Sequence, residues 1–157
     1  MEIERKFLVQ ACPDDLARRP SVFLRQGYLA AGPGGEVRLR DSGRVCVLTV
    51  KGGVGLARAE HEVAISRTQF DELWPATEGR RIEKRRYSIK AGAHTYHLDL
   101  YAGGLAGLMT VEVEFRTIDD ALAFVRPPWF GCEVTKDERY RNSVLALRGS
   151  PCGDNAR

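Results

Sequence analysis

Five strand-like segments of this chain carry like charges two residues apart: Glu2 and Glu4, Arg38 and Arg40, Glu60 and Glu62, Lys84 and Arg86, Glu112 and Glu114. Side chains at that spacing leave the same face of a β-strand, ~6.6 Å from one another. Like charges sharing a strand face repel unless counter-charges or a ligand come between them. With Lys6 and Lys51 added, the faces total six carboxylates and six cations. Carboxylates suit hard divalent cations, while Arg and Lys suit phosphate oxygens. The ligand that satisfies both is a metal-chelated polyphosphate.

Taken singly, each pair has a plainer explanation. Glu60 with Glu62 reads as a solvated strand face, and Arg38 with Arg40 as a charged edge that resists aggregation. Grouped by sign, strand after strand, the pairs favour a function. Asp99 is a weaker acidic candidate because it could simply pair with an inward arginine. His61 falls on the opposite face from Glu60 and Glu62, and His94 and His97 read as strand residues. Lys51-Gly52-Gly53 lacks the Walker A spacing and reads as a glycine hairpin.

The elements that must position these groups fit within one domain of 157 residues. Hydrophobic residues at 43% and charged residues at 29% describe a globular chain with enough apolar surface for a core. A net charge of +3 is too small to argue for nucleic acid, and aromatics at 8% leave few stacking platforms among the cations. No apolar run approaches the ~18 residues of a membrane span, and the acidic N-terminus is unlike a signal peptide. A cytoplasmic location is expected. Cys12, Cys46, Cys132 and Cys152 are too far apart for a zinc site or a disulfide framework.

Strand character recurs over 1–10, 22–31, 35–41, 44–51, 58–65, 80–89, 94–101 and 107–116, separated by glycine-rich turns that suit hairpins. Helical signals are fewer. Ser66 and Gln69 form a capping box for a helix to about Trp74, stopped by Pro75. Further helices are expected over 13–18, over 119–124 after Thr117, and near 136–147. In the fourth, fifth and eighth strands the apolar residues alternate with the charged ones, so the apolar faces turn outward to the helices. The fold class expected is α+β and mostly β: an eight-stranded antiparallel closed β-barrel with a charged lumen, helices outside and a C-terminal helix.

The opening Glu2-Ile3-Glu4-Arg5-Lys6 resembles the ExExK signature of the CYTH superfamily, the triphosphate tunnel metalloenzymes. The resemblance continues in order through Arg25–Leu29, Val37–Arg40, Leu48–Gly52, Arg58–Glu62, Glu83–Tyr87, Leu98-Asp99, Val111–Glu114 and Glu133–Thr135. It implies a CYTH domain over 1–148, followed by a tail over 149–157 expected to be disordered. It also implies a tunnel that takes a triphosphate end-on. Glu2, Glu4, Glu60, Glu62, Glu112 and Glu114 match the metal-binding acids. Lys6, Arg38, Arg40, Lys51, Lys84 and Arg86 match the phosphate-binding cations.

The activity implied is metal-dependent hydrolysis, with inorganic tripolyphosphate as the leading substrate and Mg2+ or Mn2+ as the cofactor. Lys6 or Lys51 is the candidate to stabilise or protonate the leaving oxygen. A metal held by Glu2, Glu4 and Glu114 would bridge phosphate oxygens, and a second near Glu60 and Glu62 could orient water. Arg139 either reaches inward from the last helix or pairs on its surface. Thiamine or nucleoside triphosphatase, adenylate cyclase, and a polyphosphate- or nucleotide-binding module without turnover are the alternatives. The partner is then a small molecule bearing a triphosphate, with neither nucleic acid nor membrane, and a homodimer is left open.

Overall fold

The computed structural model describes residues 3–52 and 59–151. Nine strands form one sheet among them: β1 (Ile3–Val9), β2 (Ser21–Gly32), β3 (Gly35–Asp41), β4 (Cys46–Gly52), β5 (Ala59–Ile65), β6 (Arg81–Ala91), β7 (His94–Tyr101), β8 (Met109–Phe115) and β9 (Phe130–Glu133). Their order across the sheet is β5-β4-β3-β2-β6-β7-β8-β1-β9, and every neighbouring pair is antiparallel. Eight of these strands follow the eight charge- or apolar-patterned segments of the sequence. The antiparallel, mostly β architecture is thus the one expected.

Two features of the barrel differ from the expectation. The ninth strand, β9, is a four-residue segment with no alternation to announce it, and it pairs along the free side of β1 through Phe7 and Val9. The sheet is also not closed by backbone hydrogen bonds: among the described residues no ladder joins β5 to β9. The chain after β9 spans part of this gap instead. Val134 N donates to Lys6 O at 2.8 Å, Lys6 Nζ donates to Tyr140 O at 2.8 Å, and Ser143 Oγ bonds Glu36 on β3. One short segment is therefore tied to β1 at one end and to β3 at the other.

Three helices complete the fold: α1 (Arg67–Leu73), α2 (Ile118–Ala123) and α3 (Asn142–Arg148). The capping box is present at α1, where Ser66 Oγ accepts from Gln69 N at 3.1 Å and Gln69 Oε1 accepts from Ser66 N at 2.9 Å. Pro75 does not stop the chain at once; the helix tightens into a 3-10 turn over Trp74–Thr77. The helices expected at 13–18 and 136–147 are shorter in the structure, a 3-10 turn at Leu16–Arg18 and another at Glu138–Tyr140 ahead of α3. None of the helices is long and apolar enough to cross a membrane among the described residues.

The apolar residues sort onto the outer face, as the alternation requires. Phe7, Leu98, Val111 and Val113 are fully buried beneath α2, with Tyr96, Phe124 and Phe130 packed ring to ring around them. Arg5 points to the same side and fastens α2 by donating to Ala121 O at 2.8 Å and Phe124 O at 3.2 Å. Leu39, Cys46 and Phe70 form a second core under α1. A third cluster lies on the inner side at one end, where Tyr28, Ile82, Tyr101 and Tyr140 pack against Leu145 of α3. The lumen is therefore ionic over part of its length and apolar where α3 seals it. Truncating Phe7 to Ala removes a fully buried ring and should cost about 3–5 kcal/mol, measured as a shift in urea unfolding of the purified variant.

Candidate active site

Strand register brings the described candidate residues to one face. Glu4 lies opposite Glu114 and Lys6 opposite Glu112 across β1 and β8. Glu112 faces His97, and Asp99 faces both Thr110 and Arg86, which carries the row across β7 to β6. On the other half of the sheet Arg38 faces Tyr28 and Thr49, Thr49 faces Glu62, and Lys51 faces both Glu36 and Glu60. Lys84 and Arg40 join through Leu24 and Gln26 on β2. Glu2, the first acid of the ExExK signature, lies outside the described residues, as do Arg58 and the glycine turn beyond Gly52.

These side chains form a lattice of ion pairs rather than separate acidic and basic patches. Arg86 grips Asp99 with both arms at 2.7 Å and reaches Glu112 at 2.9 Å, while Lys84 meets Asp99 at 2.8 Å and Lys6 meets Glu112 at 3.1 Å. Across the sheet, Lys51 lies 3.4 Å from Glu60, Arg38 lies 3.9 Å from Glu60, and Arg40 lies 3.2 Å from Glu62. Glu62 also accepts from Thr49 at 3.3 Å. Asp99 is thus the partner of a tunnel arginine, the plainer of its two readings.

Burial and charge pull against each other here. Burial pushes Asp99 up, but Lys84 and Arg86 outweigh it and hold the carboxyl below its usual range. Glu112 behaves alike: burial raises it, and Lys6, Lys84 and Arg86 together bring it well below the ordinary glutamate value. Both carboxylates stay ionised. Burial lowers the fully enclosed Lys84, and burial together with the neighbouring Arg38 cation lowers Arg40. An anion arriving among these cations would relieve that strain.

A cleft of about 230 Å³ opens on this lattice, lined by Glu4, Lys6, Arg38, Lys51 and Glu112, with Tyr28, Glu36, residues 134, 135 and 137, and residues 140–143 as its other walls. Arg38 Nε is buried in it with no hydrogen-bond partner. A buried donor without an acceptor is costly, and an anionic oxygen is the acceptor a guanidinium suits best. Gln26 Nε2, on the same face, is also buried and unmatched. Glu4 and Glu114, directly opposite and both exposed, give an all-oxygen donor pair of the kind that magnesium or manganese takes. No group of three potential ligands assembles among the described residues. Glu60 and Glu62 lie toward the other edge of the sheet from Glu4 and Glu114.

Some functional-looking residues were not visible in the sequence. Tyr28, Glu36, Arg141 and Ser143 line the cleft, yet none belongs to a like-charged pair on a strand; Arg141 stands two residues from Arg139 in a segment without strand pattern. Arg139, considered as an inward-reaching side chain, is instead exposed and folded onto Asp137 at 2.7 Å. It is its neighbour but one, Arg141, that reaches the cleft. A resting residue of charge therefore comes from a segment with no strand pattern at all.

A curved antiparallel sheet with helices outside and an ionic cleft within is the triphosphate tunnel fold. No family model matches the chain. It is 53% identical over 148 residues to an inorganic triphosphatase of Nitrosomonas europaea, covering 93% of this chain and 97% of that protein. It is 37% identical over 147 residues to an inorganic triphosphatase of Acetivibrio thermocellus, covering 92% of each. A crystal structure of an inorganic triphosphatase superposes with a TM-score of 0.74 at 49% identity, covering 96% of this chain and 97% of that one. The chain belongs to the inorganic triphosphatase family, within the CYTH superfamily.

The buried pairs set a pH limit on the fold. Asp99 and Glu112 hold folded values below their unfolded ones, roughly 3.9 and 4.3, so their stabilisation is complete at neutral pH. As pH falls below those values the unfolded chain takes up protons that the folded chain refuses, and stability drops. Urea midpoints should hold from neutral pH to about 5 and fall below about 4. Asp99→Asn strands Lys84 and Arg86 and should cost about 3–5 kcal/mol at neutral pH, with a shallower acid decline on the same urea curves.

Proposed function

We propose that this chain hydrolyses inorganic triphosphate to diphosphate and phosphate inside the ionic cleft, with Mg2+ or Mn2+ as the cofactor. The observation that carries the reading is the buried, unmatched Arg38 Nε in a cleft where Arg38, Lys51 and Lys6 are paired with carboxylates that a phosphate could replace. The likeness to two inorganic triphosphatases supports it.

A triphosphate entering the cleft exchanges carboxylate oxygens for phosphate oxygens at the same cations. Arg38, Arg40 and Arg86 offer planar forks to equatorial oxygens, and Lys6, Lys51 and Lys84 supply compact charge. Glu4 and Glu114, with Glu2, are the acids that would hold the metal, and Glu60 and Glu62 are the set for a second ion. The metal when bound supplies charge neutralisation at the phosphoryl oxygens. Glu112 bridges Lys6 and Arg86 in the resting lattice and offsets their mutual repulsion until the anion arrives. Lys6 or Lys51 faces the leaving oxygen, and electrostatic positioning does most of the work.

Phosphate release from tripolyphosphate, ATP and thiamine triphosphate, each with Mg2+, with Mn2+ and with chelator, tests the reading. Fast release from tripolyphosphate that chelator abolishes is the expected result. Glu4→Gln should lower kcat/KM by at least the roughly 10–100-fold that loss of a metal ligand's support costs. Equal turnover with chelator present, or an unaffected Glu4→Gln enzyme, would remove the metal from the account.

A further inference from the structure

We infer that Arg141 is a phosphate-binding residue of the cleft, engaging the unesterified end of the polyphosphate beside Lys51 and Arg38. This rests on the triphosphatase reading above and adds a residue that the charge pattern of the strands does not contain. Arg141 lines the ionic cleft and also the smaller depression over Gly32–Gly35 and Lys51, so its side chain lies along the open side of the sheet where Lys51 is found.

The chain on either side of Arg141 is held as though to place it. Tyr140 O accepts from Lys6 Nζ at 2.8 Å, Asn142 Oδ1 accepts from Tyr101 Oη at 2.7 Å, and Ser143 Oγ bonds Glu36. Three anchors, one before Arg141 and two after it, tie the chain around it to both halves of the sheet. The side chain itself makes no cap to α3 and pairs with Glu138 at 3.2 Å. Arg141 is 43% and Glu138 71% exposed, and ion pairs in contact with solvent contribute little to stability. The guanidinium can leave Glu138 for a phosphate at small cost, while the backbone beneath it stays in place.

Charge in the cleft explains why an anion would draw it in. Lys51 and Arg141 are two cations on shared walls, and Arg38 beside them has a buried Nε with no acceptor. A terminal phosphoryl group presents three oxygens and more negative charge than an esterified one, so it can meet all three cations at once. Tripolyphosphate and organic triphosphates both present such an end, so the contact adds affinity for a terminal phosphoryl group rather than discrimination among triphosphates.

The test compares Arg141→Gln and Arg141→Lys with Lys136→Gln, which removes the same charge from an exposed residue outside the cleft. Loss of a charge-assisted hydrogen bond predicts that Arg141→Gln raises KM for tripolyphosphate roughly tenfold. Changes in kcat and in the thermal midpoint should be small, and Arg141→Lys should recover part of the loss. Kinetics of Arg141→Gln equal to those of Lys136→Gln would overturn the inference while leaving the triphosphatase reading intact. A fall in thermal midpoint and kcat with KM unmoved would also overturn it, because Arg141 would then only hold the segment. Absence of tripolyphosphate turnover in the unmodified protein would sink the functional reading itself.

Discussion

Everything in this fold answers to one constraint: ionic side chains placed on the inner face of a curved sheet cannot stay there unless each is matched. Lys84 and Asp99 are almost wholly enclosed, and desolvating two charges costs several kcal/mol per ion before their attraction returns any of it. Arg86 resolves the problem by bridging Asp99 to Glu112, and Lys6 extends the chain of pairs to β1. The result is a rigid row of alternating charge across four strands. A surface of this kind holds cations in fixed positions without a ligand and offers them to one when it arrives.

The apolar half of the structure follows from the same constraint. With the inner face given to charge, the greasy residues of β1, β7 and β8 must turn outward, and α2 is there to cover them. Arg5 lies on that outer face beside Phe7, yet it is satisfied by the carbonyl oxygens at the end of α2 and by Glu133. The sheet is left with β5 and β9 at its edges, and the segment from Val134 to Ser143 ties β1 to β3 through side chains. A closure of this type leaves an accessible flank on the ionic interior, which a complete ladder would seal.

Much of this was legible because strand alternation is a strict code. Glu112 and Glu114 could be assigned to one face, and Val111 and Val113 to the other, from spacing alone, and the register agrees. The capping box at Ser66 was legible for a similar reason, since it depends on two residues three apart. What escaped was set by contacts distant in sequence. β9 is too short to show a period and exists because β1 had a free side; Arg141 reaches the cleft because residues around it bond to β1, β3 and β7. The choice between Arg139 and Arg141 turns on one local pairing with Asp137 that no pattern announces.

The central claim is that the inner cations exchange their carboxylate partners for phosphate oxygens. A crystal structure of the protein soaked with tripolyphosphate and Mn2+ measures this directly, with anomalous scattering locating the metal. The account predicts phosphate oxygens on Arg38 Nε and Lys51, a lengthened contact from Lys51 to Glu60, and manganese beside Glu4 and Glu114. Tripolyphosphate bound elsewhere, with every carboxylate pair of the lattice unchanged, would contradict it.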